Sequence, residues 1–169
     1  MKRILLLLLI TLVTTPSSGE DFHRLYRGID IVWDITPADL HNNWKSNINV
    51  CWFGKGRGYE IYSDNKGRTN ALWHFTFYAF ANPGPAAINE PFFVIDKSSG
   101  TFTLHLIIPS MSPDEADKFI KSHKIPYYLL IVGQPMYIKR YKNTPSVLIE
   151  SDRWVVSDYF KVRFIKSEP

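Results

Sequence analysis

PFFVIDKSSGTFTLHLII, Pro91 to Ile108, carries the strongest strand pattern in the chain. An apolar run, FFVI, leads into Asp96-Lys97-Ser98-Ser99-Gly100, whose small and turn-forming residues punctuate a chain. Beyond them Phe102, Leu104, Leu106 and Ile108 alternate with Thr101, Thr103 and His105, the period-two pattern of a strand with one buried face. The stretch therefore reads as two strands joined by a hairpin turn at Asp96 to Gly100.

Over Phe93 to Phe102 this stretch resembles a hairpin of cadherin-type repeats. The calcium-ligating acidic motifs of that family are absent, so the resemblance implies no calcium site and no function.

Working outward, most segments read as strands. Ile29 to Ile35 alternates at all but one position, and Asn47 to Phe53 sets Ile48, Val50 and Trp52 against Asn47, Asn49 and Cys51. Tyr59 to Ser63 and Thr69 to Ala81 flank Asp64-Asn65-Lys66-Gly67, a hairpin turn because Asn and Gly tolerate positive φ. In the longer arm Trp73, Phe75 and Phe77 share one face and His74, Thr76 and Tyr78 the other. Asn82 to Ala87 carries two prolines, which lack the ladder N–H, and reads as a loop.

After Pro126, YYLLIV is a continuous apolar run, the mark of a strand buried on both faces. Gly133-Gln134-Pro135 reads as a turn into Met136 to Tyr141, and a last pair of strands is expected at Val147 to Glu150 and Arg153 to Ile165. Two helices interrupt the strands. Ser112-Pro113-Asp114-Glu115 forms a capping box with Pro at the first helical position, which predicts a helix over about 113–122 packing Ala116, Phe119 and Ile120 inward. Thr36-Pro37 opens a shorter one at about 37–45. The expected fold is mainly β, an antiparallel β-sandwich or rolled sheet.

The chain opens MKRILLLLLITLVTTPSSGED: two cations, a short apolar run and small residues, the order of a secretory signal peptide cut after Gly19. The apolar run is shorter than the roughly 20 residues of a membrane span, and no later stretch reaches that length. Residues 20 to 169 then form a single β-rich domain, secreted or periplasmic, with no transmembrane segment. The formal charge of +4 includes Lys2 and Arg3, so the mature chain is only mildly basic, and neither charge nor route points to nucleic acid. A single cysteine excludes an intramolecular disulfide. Packing must supply the stability, and 15% Phe, Trp and Tyr supplies the material.

Chemistry is sparse. GKGRG, Gly54 to Gly58, lacks the Walker spacing and is followed by a strand pattern, not the helix whose N-terminus would hold a phosphate. It reads as a hairpin tip presenting Lys55 and Arg57, separate from the second triplet Lys66-Gly67-Arg68. Cys51 would need a neighbouring base to act as a nucleophile; His74 and His105 are the candidates, and the bland reading is an inert, half-buried thiol. The five histidines match no metal-ligand spacing, and no motif calls for a cofactor. In MYIKRYK, Lys139, Arg140 and Lys142 interleave with Tyr137 and Tyr141 to make a cationic, partly aromatic strand edge, and the five tryptophans exceed what one core of this size needs, so that most read as core and any exposed ring is available for binding.

The sequence therefore points to a non-catalytic exported protein that engages a protein partner, in an inhibitor or immunity-type role, through cationic hairpin loops. The alternatives are a module for an envelope glycan or anionic polymer, using the Tyr137 to Tyr141 edge, and a thiol hydrolase using Cys51.

Overall fold

The computed structural model describes residues 22–108, 110–122 and 127–166. Residues 1–19, read above as a signal peptide, His123 and Pro126 lie outside the described residues. Six strands are present: β1 (Val50–Ser63), β2 (Thr69–Phe80), β3 (Phe92–Ile108), β4 (Tyr128–Tyr141), β5 (Thr144–Ser157) and β6 (Val162–Ile165). Two short α-helices accompany them, α1 (Pro37–Asn42) and α2 (Pro113–Lys121). No helix among the described residues is long and apolar enough to cross a membrane.

The strand order is β2-β1-β4-β5-β3-β6, and β2 also pairs with β3. That second pairing closes β1, β2, β3, β5 and β4 into a five-stranded barrel, with β6 added outside it. β4 lies beside β1 after the β1-β2-β3 meander, which makes the connection a Greek key. β5 then runs parallel to β3 over Phe102 to His105 and completes the circle.

The opening stretch is where expectation and structure part. Phe92 to Ile108 is a single strand of 17 residues, not a hairpin. Its first part pairs with β6, its second with β5, and β2 follows it from Thr69 to Phe80. Asp96 to Gly100 is a bulged bend inside the strand: the register against β2 slips between Thr76 and Tyr78 and again between Tyr78 and Phe80. Extra residues in one strand kink it and increase its twist, which is how a long strand turns a barrel corner. Gly100 takes φ +114 there and passes so close to α1 that a Cβ would stand 2.9 Å from the Ala38 nitrogen.

The same correction applies at three further places. GKGRG is the middle of β1, with a bulge between Gly56 and Gly58, and not a hairpin tip. Gly133 to Pro135 continues β4 through two register shifts, and β5 runs on from Thr144 to Ser157 without the expected break near residue 151. Ile29 to Ile35 is not a strand; one parallel bridge, Val32 to Val50, is its ladder contact. Its alternation serves a strap instead, with Ile35 in the barrel core and Ile29, Ile31 and Trp33 against a second core outside.

Gly54 and Gly56 of β1 are there for space. At Gly54 a Cβ would lie 2.7 Å from the Phe102 ring, and at Gly56 it would lie 1.9 Å from the Tyr127 ring. Two large inward rings take the room that side chains on β1 would need.

Inside the barrel Trp52, Trp73, Phe75, Phe102, Leu129, Ile131 and Ile149 are buried together. The outer sides of β1 and β4 carry Cys51, Phe53, Tyr128, Leu130 and Val132 into the second core, covered by Phe22, Leu25, Ile88, Phe92 and Phe160. YYLLIV is thus buried on both faces, as its composition implies. Both helices begin as their sequences require: Thr36 with Asp39 and Ser112 with Glu115 form reciprocal capping boxes. Ala116 and Ile120 of α2 are buried, and Tyr59 Oη donates to Asp117 at 2.6 Å, tying that helix to β1. Leu40 of α1 enters the core near Gly100, at the other end of the barrel half of β3.

Candidate functional site

Trp73 and Phe75 point into the barrel, so His74 between them lies on the outer wall. It pairs across the wall with Gly58 on β1 and Thr103 on β3, and Thr103 with Leu148 on β5, which in turn pairs with Tyr137 on β4. The β4–β5 hairpin turns at Lys142 and Asn143, with φ of 46° and 65°, the paired positive values of a type I′ turn. Its end lies over the wall, where the Tyr141 ring stacks on His74, 3.4 Å between centroids and 15° between planes. A Cβ on Gly58 would stand 3.2 Å from the Tyr141 hydroxyl, so the bulge in β1 and the hairpin end meet there.

This packing brings together two features far apart in sequence. Arg57 comes from the bulge of β1, Lys139 from β4 and Lys142 from the hairpin turn, and all three charges act on His74. Burial foremost, and then those three cations, pull the His74 imidazole from 6.5 down to about 4, so it is neutral at pH 7. The Lys142 ammonium also lies 5.3 Å from the centre of the Tyr141 ring. Beneath the stack the His74 Nδ1 and the Thr103 hydroxyl are 2.9 Å apart, and the Thr103 and Ser146 hydroxyls 2.8 Å. The other ring nitrogen, Nε2, is buried and has no hydrogen-bond partner. The Glu60 carboxylate stands 3.9 Å away, beyond hydrogen-bond reach.

The remaining expected residues place as follows. Lys55 is half-buried between Thr76 and Tyr128 in the ladder and is no loop tip. Tyr137 is 53% exposed in the row that contains His74. Arg140 is exposed and alternates with Lys139 and Tyr141, which puts it on the opposite face of β4. Of the tryptophans, Trp52 and Trp73 are core, Trp154 packs against the core, and Trp44 is exposed beyond the end of α1. Lys66 and Arg68 do lie in a turn, where Arg68 Nε donates to Asp64 at 2.7 Å.

Cys51 is buried in the second core, and burial pushes its thiol well above the usual range, so no thiolate forms there. Neither candidate histidine reaches it. His74 pairs with Gly58, well along β1 from Cys51, and His105 is held between Glu150 at 2.8 Å and Asn70 at 2.9 Å. Among the described residues no three His, Cys, Asp or Glu side chains gather as a metal site would need. Two shallow clefts flank α1, one of about 210 Å³ against Ile138 and Pro145 and one of about 400 Å³ lined by Asp34, Asp39 and Lys45. Neither contains His74.

Lys139, Tyr141 and Lys142 were legible as one cationic, aromatic edge, but no sequence signal joined them to Arg57, His74, Glu60, Thr103 and Ser146, because five different strands or their turns supply the site. The fold and site define a closed five-stranded β-barrel with one added strand and a cationic, aromatic patch on its outer wall. No protein-family model matches the chain, and no curated protein matches it.

Proposed function

We propose that this is an exported, non-catalytic binding protein that takes an acidic oligosaccharide on the outer wall of the barrel, over the row from Arg57 to Tyr137. The observation that carries the reading is the meeting of Arg57, Lys139 and Lys142 around the His74–Tyr141 stack. Three cations from two distant segments on one face make a local positive field, and exposed Tyr137 beside them offers a ring for a sugar face.

Architecture lends support by analogy. Small Greek-key barrels of the OB type bind oligosaccharides and oligonucleotides across strands 2 and 3 and the neighbouring β1–β2 and β4–β5 loops, and the patch shares with that position His74 on β2, Thr103 on β3 and Lys142 in the β4–β5 turn. Likeness of fold carries no function by itself; the charges standing there do. The secretory reading of residues 1–19 favours a sugar polymer over a nucleic acid.

An acidic protein surface is the second reading, favoured by Met136 at 47% and Tyr137 at 53% exposure beside the cations. It no longer rests on a GKGRG hairpin tip, which is a strand.

The test is calorimetric titration of the purified protein with a polygalacturonate oligosaccharide and with a neutral oligosaccharide of equal length, at low and moderate salt. Binding of the acidic sugar alone, weakened by salt and by about 10-fold or more in the double variant Arg57→Ala/Lys139→Ala, is expected. Equal binding of both sugars, or none, would overturn the reading.

A further inference from the structure

The buried Nε2 of His74 is unusual for its surroundings. Buried ring nitrogens are almost always paired, because an unmade hydrogen bond forfeits hydration without return. Here the ring is 4% exposed, its Nδ1 is engaged, and its Nε2 meets only a carboxylate 3.9 Å away. That carboxylate belongs to Glu60, whose side chain is 52% exposed and free to swing into solvent. The groups facing the ring from the elements around it are Arg57 and Glu60 on β1, Thr103 on β3, Lys139 and Tyr141 on β4, Lys142 in the turn and Ser146 on β5. Three of these are cations and one is an anion.

We propose that His74 Nε2 is the seat for a single anionic group of the ligand, beside the Tyr141 ring and the bulge that carries Arg57, and that Glu60 is an internal stand-in that swings out when the ligand docks. This deepens the oligosaccharide reading and rests on it. The hydroxyl chain beneath the ring prepares the seat: when Ser146 donates to Thr103 and Thr103 donates to Nδ1, the imidazole proton lies on Nε2 and points at the seat. A carboxylate or sulfate there accepts that N–H inside a positive field, a charge-assisted bond with its donor already fixed. The Tyr141 ring lies flat on the imidazole and holds it in plane.

The experiment follows the His74 side-chain nitrogens by NMR while the purified protein is titrated with inorganic sulfate, and repeats the oligosaccharide titration on Glu60→Gln and His74→Asn. Asparagine keeps a polar atom near Nδ1 for Thr103 and deletes the Nε2 position. Expected are a saturable shift at His74 Nε2, oligosaccharide binding about 3-fold tighter in Glu60→Gln because a competing charge is gone, and about 10-fold weaker in His74→Asn. If His74→Asn fails to fold, Glu60→Gln decides, since that side chain is half exposed. Oligosaccharide binding that depends on Arg57 and Lys139 yet is unchanged in Glu60→Gln, with a silent His74 Nε2, would overturn the seat and leave the patch standing. Failure of the wild type to bind the acidic sugar would overturn both.

Discussion

At His74 burial and neighbouring cations act in the same direction, and both favour the neutral ring. Its protonation falls from an ordinary 6.5 to about 4 on folding, so between those values the unfolded chain binds the extra proton. Stability from this residue is therefore fully present above about pH 6.5 and lost as pH falls toward 4. Glu115, Asp64 and Asp117 are also held below their ordinary values, by hydrogen bonds to Ser112, to Arg68 and to Lys121, and their contributions fade only at lower pH still. Thermal unfolding followed from pH 8 to pH 4 should show a falling midpoint below about 6.5, and His74→Asn should flatten that slope. A slope unchanged by the substitution would place its origin elsewhere. Cys51 shows the opposite use of burial: it lies in the apolar second core, burial raises its thiol, and it serves as packing. Its sequence reading made it half-buried on the polar face of its strand; it is fully buried because both faces of β1 are covered, which no local pattern showed.

The elements divide by how local their cause is. α2 was legible because Ser112 and Glu115 accept from each other's N–H groups and Pro113 has none to satisfy, all within four residues. The Asp64 to Gly67 turn was legible for the same reason: Asp64 accepts from the Lys66 and Arg68 amides, and Gly67 has φ +71. GKGRG and DKSSG were misread because glycine serves turns and close approaches alike, and the sequence shows only that it is glycine. The two uses separate on mutation. Gly56→Ala drives a Cβ into the Tyr127 ring, whose hydroxyl also accepts from Trp73 Nε1 at 2.9 Å, so a cost of about 1–3 kcal/mol or more is expected. Ser112→Ala, which removes one cap, should cost about 1 kcal/mol. Urea unfolding of the two variants would rank them, and a Gly56→Ala protein as stable as wild type would contradict a space-filling role for that glycine.

For the whole molecule, the two cores share β1 and β4 as their common wall. Phe53 and Trp52 are neighbours in sequence, yet one enters the outer core and the other the barrel. Loosening one core removes the support of the other, so a single cooperative transition is expected, with Trp fluorescence and far-UV dichroism coinciding. The strap that precedes β1 belongs to that unit. Phe22 packs on Phe92 and Phe160, each 5.7 Å between ring centres, and Phe22→Ala should cost about 3 kcal/mol, far more than a loosely attached segment would. Calorimetry showing a loss below about 1 kcal/mol would place the strap outside the cooperative unit.

The β-rich class, both capped helices, the Asp64 to Gly67 turn and the inward or outward direction of most side chains from Thr69 to Phe80 and Thr101 to Ile108 follow from local sequence. Those properties depend on contacts within a few residues or on the two-residue period of a strand. Only the tertiary structure decided that the sheet closes into a barrel, that four stretches read as breaks are bends in long strands, and that Arg57, Lys139 and Lys142 share one imidazole. The physical reason is distance along the chain: Thr76 meets Thr101 and Phe102 meets Val147 through hydrogen bonds whose pairing no local pattern encodes, and the site forms where those strands are brought side by side.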